Sequence, residues 1–189
     1  MRLIALAAAM IVLASAPAEA AWSQYVNREI GFAVDMPGQP AVTTGEYQTA
    51  ILGRVPAAIY SMTDRGNTFS ITVVDLSDRL MQSASVLQEL IYIRTRDLNL
   101  VADTLSRADP GRNAAYGRRV TEDRPDGSRV VAAFYCTKGK LFLFEATIPP
   151  GGDKDSPTSG RFVDSVTFNL GGGQGGGNAP QGGGNAPPG

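Results

Sequence analysis

Arginine is the one chemically versatile residue type that is both abundant and clustered in this chain. It outnumbers lysine 14 to 3, and Arg107, Arg112, Arg118, Arg119, Arg124 and Arg129 fall close together in the second half. A guanidinium grips a carboxylate or a phosphate at two points, so Arg112, Arg118, Arg119, Arg124 and Arg129 are candidates for an anionic-ligand or protein-docking face. Asp103, Asp109, Glu122, Asp123 and Asp126 are interleaved with them, and the competing account is a solvated hairpin surface laced with ion pairs. Glu122, Asp123 and Asp126 are also the densest acidic group, with oxygens of the kind that bind Ca²⁺. The alternating acidic register of an EF-hand is absent, and a tight turn explains their positions more simply.

Other chemistries are excluded by composition. The chain has no histidine and a single cysteine, which removes Ser-His-Asp and Cys-His relays and leaves too few ligands for a zinc or transition-metal site. The three lysines, Lys138, Lys140 and Lys154, stand in no Ser-x-x-Lys motif. Paired carboxylates could still act as acid and base, because their spacing is set in space, but no sequence feature points to a pair. With 17 basic against 18 acidic residues, there is no positive excess to neutralise a nucleic-acid backbone. No catalytic residue, cofactor or metal is assigned, and nucleic acid is not expected as a partner. Cys136 is spaced with Phe134 and Ala132 to share one face of a strand, which favours packing over redox chemistry.

These side chains need a scaffold, and the hydrophobic periodicity outlines one. Trp22 to Val26 and Gly31 to Met36 read as an opening hairpin, and Ala57 to Met62 with Thr68 to Val74 as a second. Between Ser85 and Leu98 the period becomes helical: Leu87, Leu90, Ile91 and Leu98 form one stripe, Ser85 and Gln88 suggest a capping box, and Asn99 a stop. Tyr116 to Glu122 and Arg129 to Tyr135 flank Asp123-Arg124-Pro125-Asp126-Gly127, where Pro-Asp-Gly specifies a turn. Lys138-Gly139-Lys140 then leads into Leu141 to Ile148. Both faces of Val130 to Phe144 are largely apolar, as in central strands covered on each side. Ser159 to Val166 reads as a short helix, with Thr167-Phe168 as a closing edge strand. The fold class expected is α+β: a central antiparallel sheet built from hairpins, flanked by a mid-chain helix and a short C-terminal helix, in an α/β/α-like sandwich.

Both ends break this pattern. Residues 1 to 20 carry Arg2, an apolar run from Leu3 to Ala14 and the small-x-small ending Ala18-Glu19-Ala20, which reads as a signal peptide cleaved before Ala21. The run is too short to span a bilayer. Residues 171 to 189 hold Gln174-Gly-Gly-Gly-Asn-Ala-Pro180 and again Gln181-Gly-Gly-Gly-Asn-Ala-Pro187, without charge or large apolar residues. Such a tail has nothing to bury and is expected to be a flexible tether. Residues 21 to 170 remain as one domain of ordinary size.

Tyr25-x-Asn27, Gly31-Phe32-Ala33-Val34-Asp35-Met36-Pro37, the mid-chain helix, the long hairpins and Arg161-Phe162-Val163-Asp164-Ser165-Val166 together resemble the PsbP-like fold across roughly residues 22 to 170. That fold is shared by an extrinsic photosystem II subunit, a Ran-binding nuclear import factor and many exported bacterial proteins. The resemblance implies a fold and brings no catalytic motif. The function expected is a periplasmic or secreted, non-catalytic binding or assembly module that docks an envelope protein through a sheet face or the Arg-rich hairpins. An enzyme with a carboxylate-based site on an exported substrate is the alternative, and a structural envelope component without a tight ligand the third.

Overall fold

The computed structural model describes residues 21–96, 99–108 and 115–168. The leader, the tail, Leu98 and Arg112 lie outside them. The elements run β1 (Ser23–Asn27), β2 (Phe32–Met36), β3 (Ala41–Thr49), β4 (Gly53–Asp64), β5 (Asn67–Asp75), α1 (Leu80–Arg96), β6 (Asn99–Ala108), β7 (Ala115–Asp123), β8 (Arg129–Thr137), β9 (Lys140–Ile148) and α2 (Pro157–Asp164). β3 to β9 form one antiparallel sheet in the order β3-β4-β5-β9-β8-β7-β6. β1 and β2 pair only with each other as strands.

Three layers result. One face of the sheet carries α1, whose Val86 and Leu90 pack with Val74, Leu76, Ala132, Phe134, Leu141 and Leu143. The other face carries the β1–β2 hairpin and α2, with Phe32, Phe69, Phe142, Phe144, Phe162 and Phe168 in one buried cluster. The third layer is therefore a hairpin and a helix together, where a lone helix is expected from sequence. The two faces of β9 follow the alternation of its sequence: Phe142 and Phe144 fall in the second cluster, Leu141 and Leu143 in the first.

The turns form as their residues dictate. Arg65 and Gly66 have φ of 50° and 83° between the paired Asp64 and Asn67, and Lys138 and Gly139 have φ of 51° and 73° between Thr137 and Lys140. Positive φ at both central positions belongs to the tight hairpin turn that matches strand twist. In the Pro-Asp-Gly turn, the Gly127 N–H donates to the Arg124 carbonyl at 2.9 Å, and the Asp126 carboxylate accepts from the Ser128 N–H at 2.9 Å.

Four elements depart from the sequence expectation. β3 and β6, the two edge strands, are absent from it; neither buries a continuous face, so neither shows clean alternation. α1 begins at Leu80, and Ser85 lies exposed inside it. The helix instead grows out of a 3₁₀ turn at Ser77–Arg79, where the Asp75 carboxylate accepts from the Ser77 N–H at 2.9 Å. Asn99 opens β6 and is not a helix stop. α2 starts at Pro157, because the Ser156 side chain accepts from the Thr158 N–H and proline suits the first helical position. Thr167 makes a single antiparallel bridge to Ala33.

Candidate docking surface

β-strand alternation decides where each arginine points. Arg118 and Arg119 are neighbours in β7, so their side chains leave opposite faces of the sheet. Arg118 lies on the α1 side and grips Asp103 of β6 at two points, Nε to Oδ1 at 2.5 Å and Nη2 to Oδ2 at 2.7 Å. This holds the Asp103 carboxyl below its ordinary range. Arg119 lies on the hairpin and α2 side, with Nε 2.9 Å from Oδ1 of Asp164 in α2.

The same alternation separates the acidic group. Glu122 is only 1% exposed on the α1 side, with Oε1 accepting from Nε of Arg124 at 3.2 Å. Asp123, on the opposite side, accepts from Arg129 Nε at 2.8 Å and Nη2 at 2.9 Å, and from Lys154 Nζ at 3.3 Å. The Arg129 fork, helped by Lys154, holds the Asp123 carboxyl down to about 2. Arg129 and Lys154 thereby tie the loop ahead of α2 to the end of β7. The sequence cluster is thus divided: Arg118 and Arg124 belong to one layer, Arg119 and Arg129 to the other.

The α1 side of β6 and β7 presents a different surface. α1 packs principally on β8, β3 and β9, and beyond it Leu105 and Tyr116 are 82% and 67% exposed. Leu105 stands opposite Arg118 and Arg107 opposite Tyr116, so two apolar and two cationic side chains alternate in a checkerboard. The Arg107 guanidinium lies 5.6 Å from the centre of the Tyr116 ring. Large apolar groups held this open and rimmed by arginine match the composition of protein interfaces. Of these residues the sequence marks only Arg118 as a candidate: Leu105 falls on β6, an edge strand without clean alternation, and the pattern of β7 does not show that Tyr116 stays uncovered.

This surface is held from behind. The Tyr135 hydroxyl passes beside Gly117 to meet Ser106 Oγ of β6 at 2.6 Å. A Cβ at Gly117 would collide with the Phe134 carbonyl and would approach Tyr135 Cδ1 to 2.6 Å. Glycine between Tyr116 and Arg118 therefore lets the buried core reach the edge strand. Cys136 shares the α1-side face of β8 with Phe134 and Ala132, as expected, but near the strand end it is half-buried. Burial pushes its thiol up, against a hydrogen bond with Ser83 of α1, a direction that disfavours the thiolate.

A cleft lies beside the N-terminal end of α2 and the β4–β5 turn. It measures about 500 Å³ and is lined by Trp22, Asp64, Arg65, Thr158 and Arg161 among others. Arg161 sits 4.8 Å from the centre of the Trp22 ring and donates to Asp35 at 3.1 Å, while the Asp35 N–H donates to Ser165 Oγ at 2.8 Å. The N-terminal and C-terminal sequence motifs thus bind each other. The cleft's lining offers one carboxylate beside two arginines.

No family profile matches the sequence, and no curated protein does. Among solved structures, the chain resembles the solution structure of cyanobacterial PsbP from Synechocystis sp. PCC 6803, at 13% identity and a TM-score of 0.45, over 82% of this chain and 98% of that one. It also resembles a Pseudomonas aeruginosa protein of unknown function, at 12% identity and a TM-score of 0.34, over 69% and 84% of the two chains. Both likenesses concern overall arrangement. No helix among the described residues is long and apolar enough to cross a membrane.

Proposed function

We propose that this protein is an exported, non-catalytic binding or assembly module of the cell envelope, docking a protein partner through the α1-side face of β6 and β7. The observation that carries the reading is the exposure of Leu105 and Tyr116, at 82% and 67%, between Arg107 and Arg118. A complementary partner places an aliphatic or aromatic anchor over Leu105 and Tyr116, with a carboxylate at the rim competing with Asp103 for Arg118. The leader-like pattern of residues 1–20 supports export.

The test is crosslinked capture from the native envelope, comparing the wild type with Leu105→Asp/Tyr116→Ser. One specific partner is expected, with recovery falling at least tenfold in the variant while its melting temperature is unchanged. Equal recovery from both proteins would overturn the docking face. An enzyme acting on an exported substrate is the second reading. It is favoured by one observation, the burial of Glu122 on the same side of the sheet as Glu145, with β8 between them. It gains if Glu122→Gln abolishes a hydrolytic activity found by substrate screening.

A further inference from the structure

β6 ends the seven-stranded sheet, and its ten residues present an outer row of backbone N–H and C=O groups. Natural edges are commonly blunted by proline, by charge of one sign, lysine above all, by β-bulges or by short length. β6 contains neither proline nor lysine, its register shift against β7 lies at Leu100/Ala102, near its beginning, and its two charges, Asp103 and Arg107, are of opposite sign. The remaining stretch, Ala102 to Ala108, pairs with β7 in one unbroken register.

The sequence of that stretch is complementary to itself. We propose that the chain forms a two-fold dimer by antiparallel pairing of β6 with β6 of a second copy, centred on Leu105. In this register Leu105 faces the partner's Leu105, and Asp103 faces the partner's Arg107. The two-fold axis repeats the charge pair, and Thr104 faces the partner's Ser106. Registers centred on Asp103 or Arg107 would instead oppose like charges, which is destabilising across strands. Asp103, Leu105 and Arg107 all lie on the α1 side, which α1 leaves open at this edge. Pairing therefore adds the partner's Arg107 to the Asp103–Arg118 contact and covers the exposed flank of Leu105. Closed two-fold symmetry ends the assembly at two copies through this edge. The dimer does not depend on what docks above it, although it would join the two Leu105–Tyr116 strips into one.

Sedimentation velocity of the purified protein over a range of concentrations tests this. The wild type is expected to reach twice the chain mass. Arg107→Asp, which opposes two aspartates twice, should weaken dimerisation roughly tenfold. Asp103→Arg/Arg107→Asp should restore it, although the swap removes the partner of Arg118. In parallel, Leu105→Cys in a Cys136→Ser background should crosslink rapidly under mild oxidation, because directly opposed Cα atoms ~4.5–5.5 Å apart suit a disulfide. Tyr116→Cys in the same background should crosslink far more slowly. A wild type that stays monomeric, a dimer indifferent to Arg107→Asp, or a Leu105→Cys chain that does not crosslink would each overturn the proposal. A monomer that still captures a partner through Leu105 and Tyr116 would overturn the dimer and leave the docking face standing.

Discussion

The two faces of the sheet are packed by different means. On the hairpin and α2 side, aromatic rings interlock: Phe32 meets Tyr60 at 5.7 Å and Phe144 at 5.9 Å, and Phe69 meets Trp22 and Phe162 at 5.4 Å, mostly edge to face. Each such pair adds to the area it buries. On the α1 side the core is chiefly aliphatic, with Phe134 its buried aromatic ring, and it stops short of the β6 edge. The aromatic, closed face is expected to contribute more to stability. The α1 side leaves Leu105 and Tyr116 exposed at the β6–β7 edge.

Adjacent residues of β9 give the sharpest test of this contrast, since Phe144 and Leu143 are both buried and point to opposite layers. Phe144→Ala is expected to cost about 3–5 kcal/mol and Leu143→Ala about 2–3 kcal/mol, by the loss of packed volume. Denaturant midpoints measure both. A larger loss at Leu143 would reverse the assignment of which face dominates stability.

A smaller effect separates the two arginines of β7. Arg119→Ser removes the ion pair that joins the sheet to α2 and is expected to lower stability by about 0.2–1 kcal/mol. Arg118→Ser should change stability no more than that, because its pair with Asp103 is on the surface, but should weaken partner capture. Loss of capture in Arg119→Ser alone would place docking on the opposite face.

The smallest effect is confined to acid. Asp123 and Asp75, both on the hairpin and α2 side, have carboxyls held down to about 2 from 3.8. Their charged forms are favoured by folding, so the stabilisation is complete above the ordinary carboxylate range and disappears as pH falls through about 2. Asp123→Asn should therefore be less stable than wild type at neutral pH, with the gap closing between about pH 4 and 2. Thermal melts across that window check it. A gap independent of pH would mean that the Arg129–Lys154 tie does not depend on charge.

The legible parts of the fold are those where local rules and tertiary burial agree. β8 and β9 are apolar on both faces because layers cover both, and the turns at Arg65-Gly66, Pro125-Asp126-Gly127 and Lys138-Gly139 have residues that accept the required dihedrals. β3 and β6 escaped because an edge strand gains its structure from one neighbour's backbone, which leaves little trace in hydrophobic pattern. The start of α1 escaped because its first turn is set by Asp75 and the buried Leu76, outside the apolar stripe.

The candidate site divides in the same way. Sequence by itself determined the absence of imidazole chemistry, the excess of arginine over lysine and the presence of acids to pair with it. It could not assign partners, because neighbours such as Arg118 and Arg119 are sent to opposite layers by strand alternation, and their acids, Asp103 and Asp164, come from other elements. Only the tertiary structure placed β6 at the edge, ended the cover of α1 before it, and so left Leu105 and Tyr116 open. Composition fixes which interactions a chain can make; which side chains remain unburied is decided when the layers close over one another.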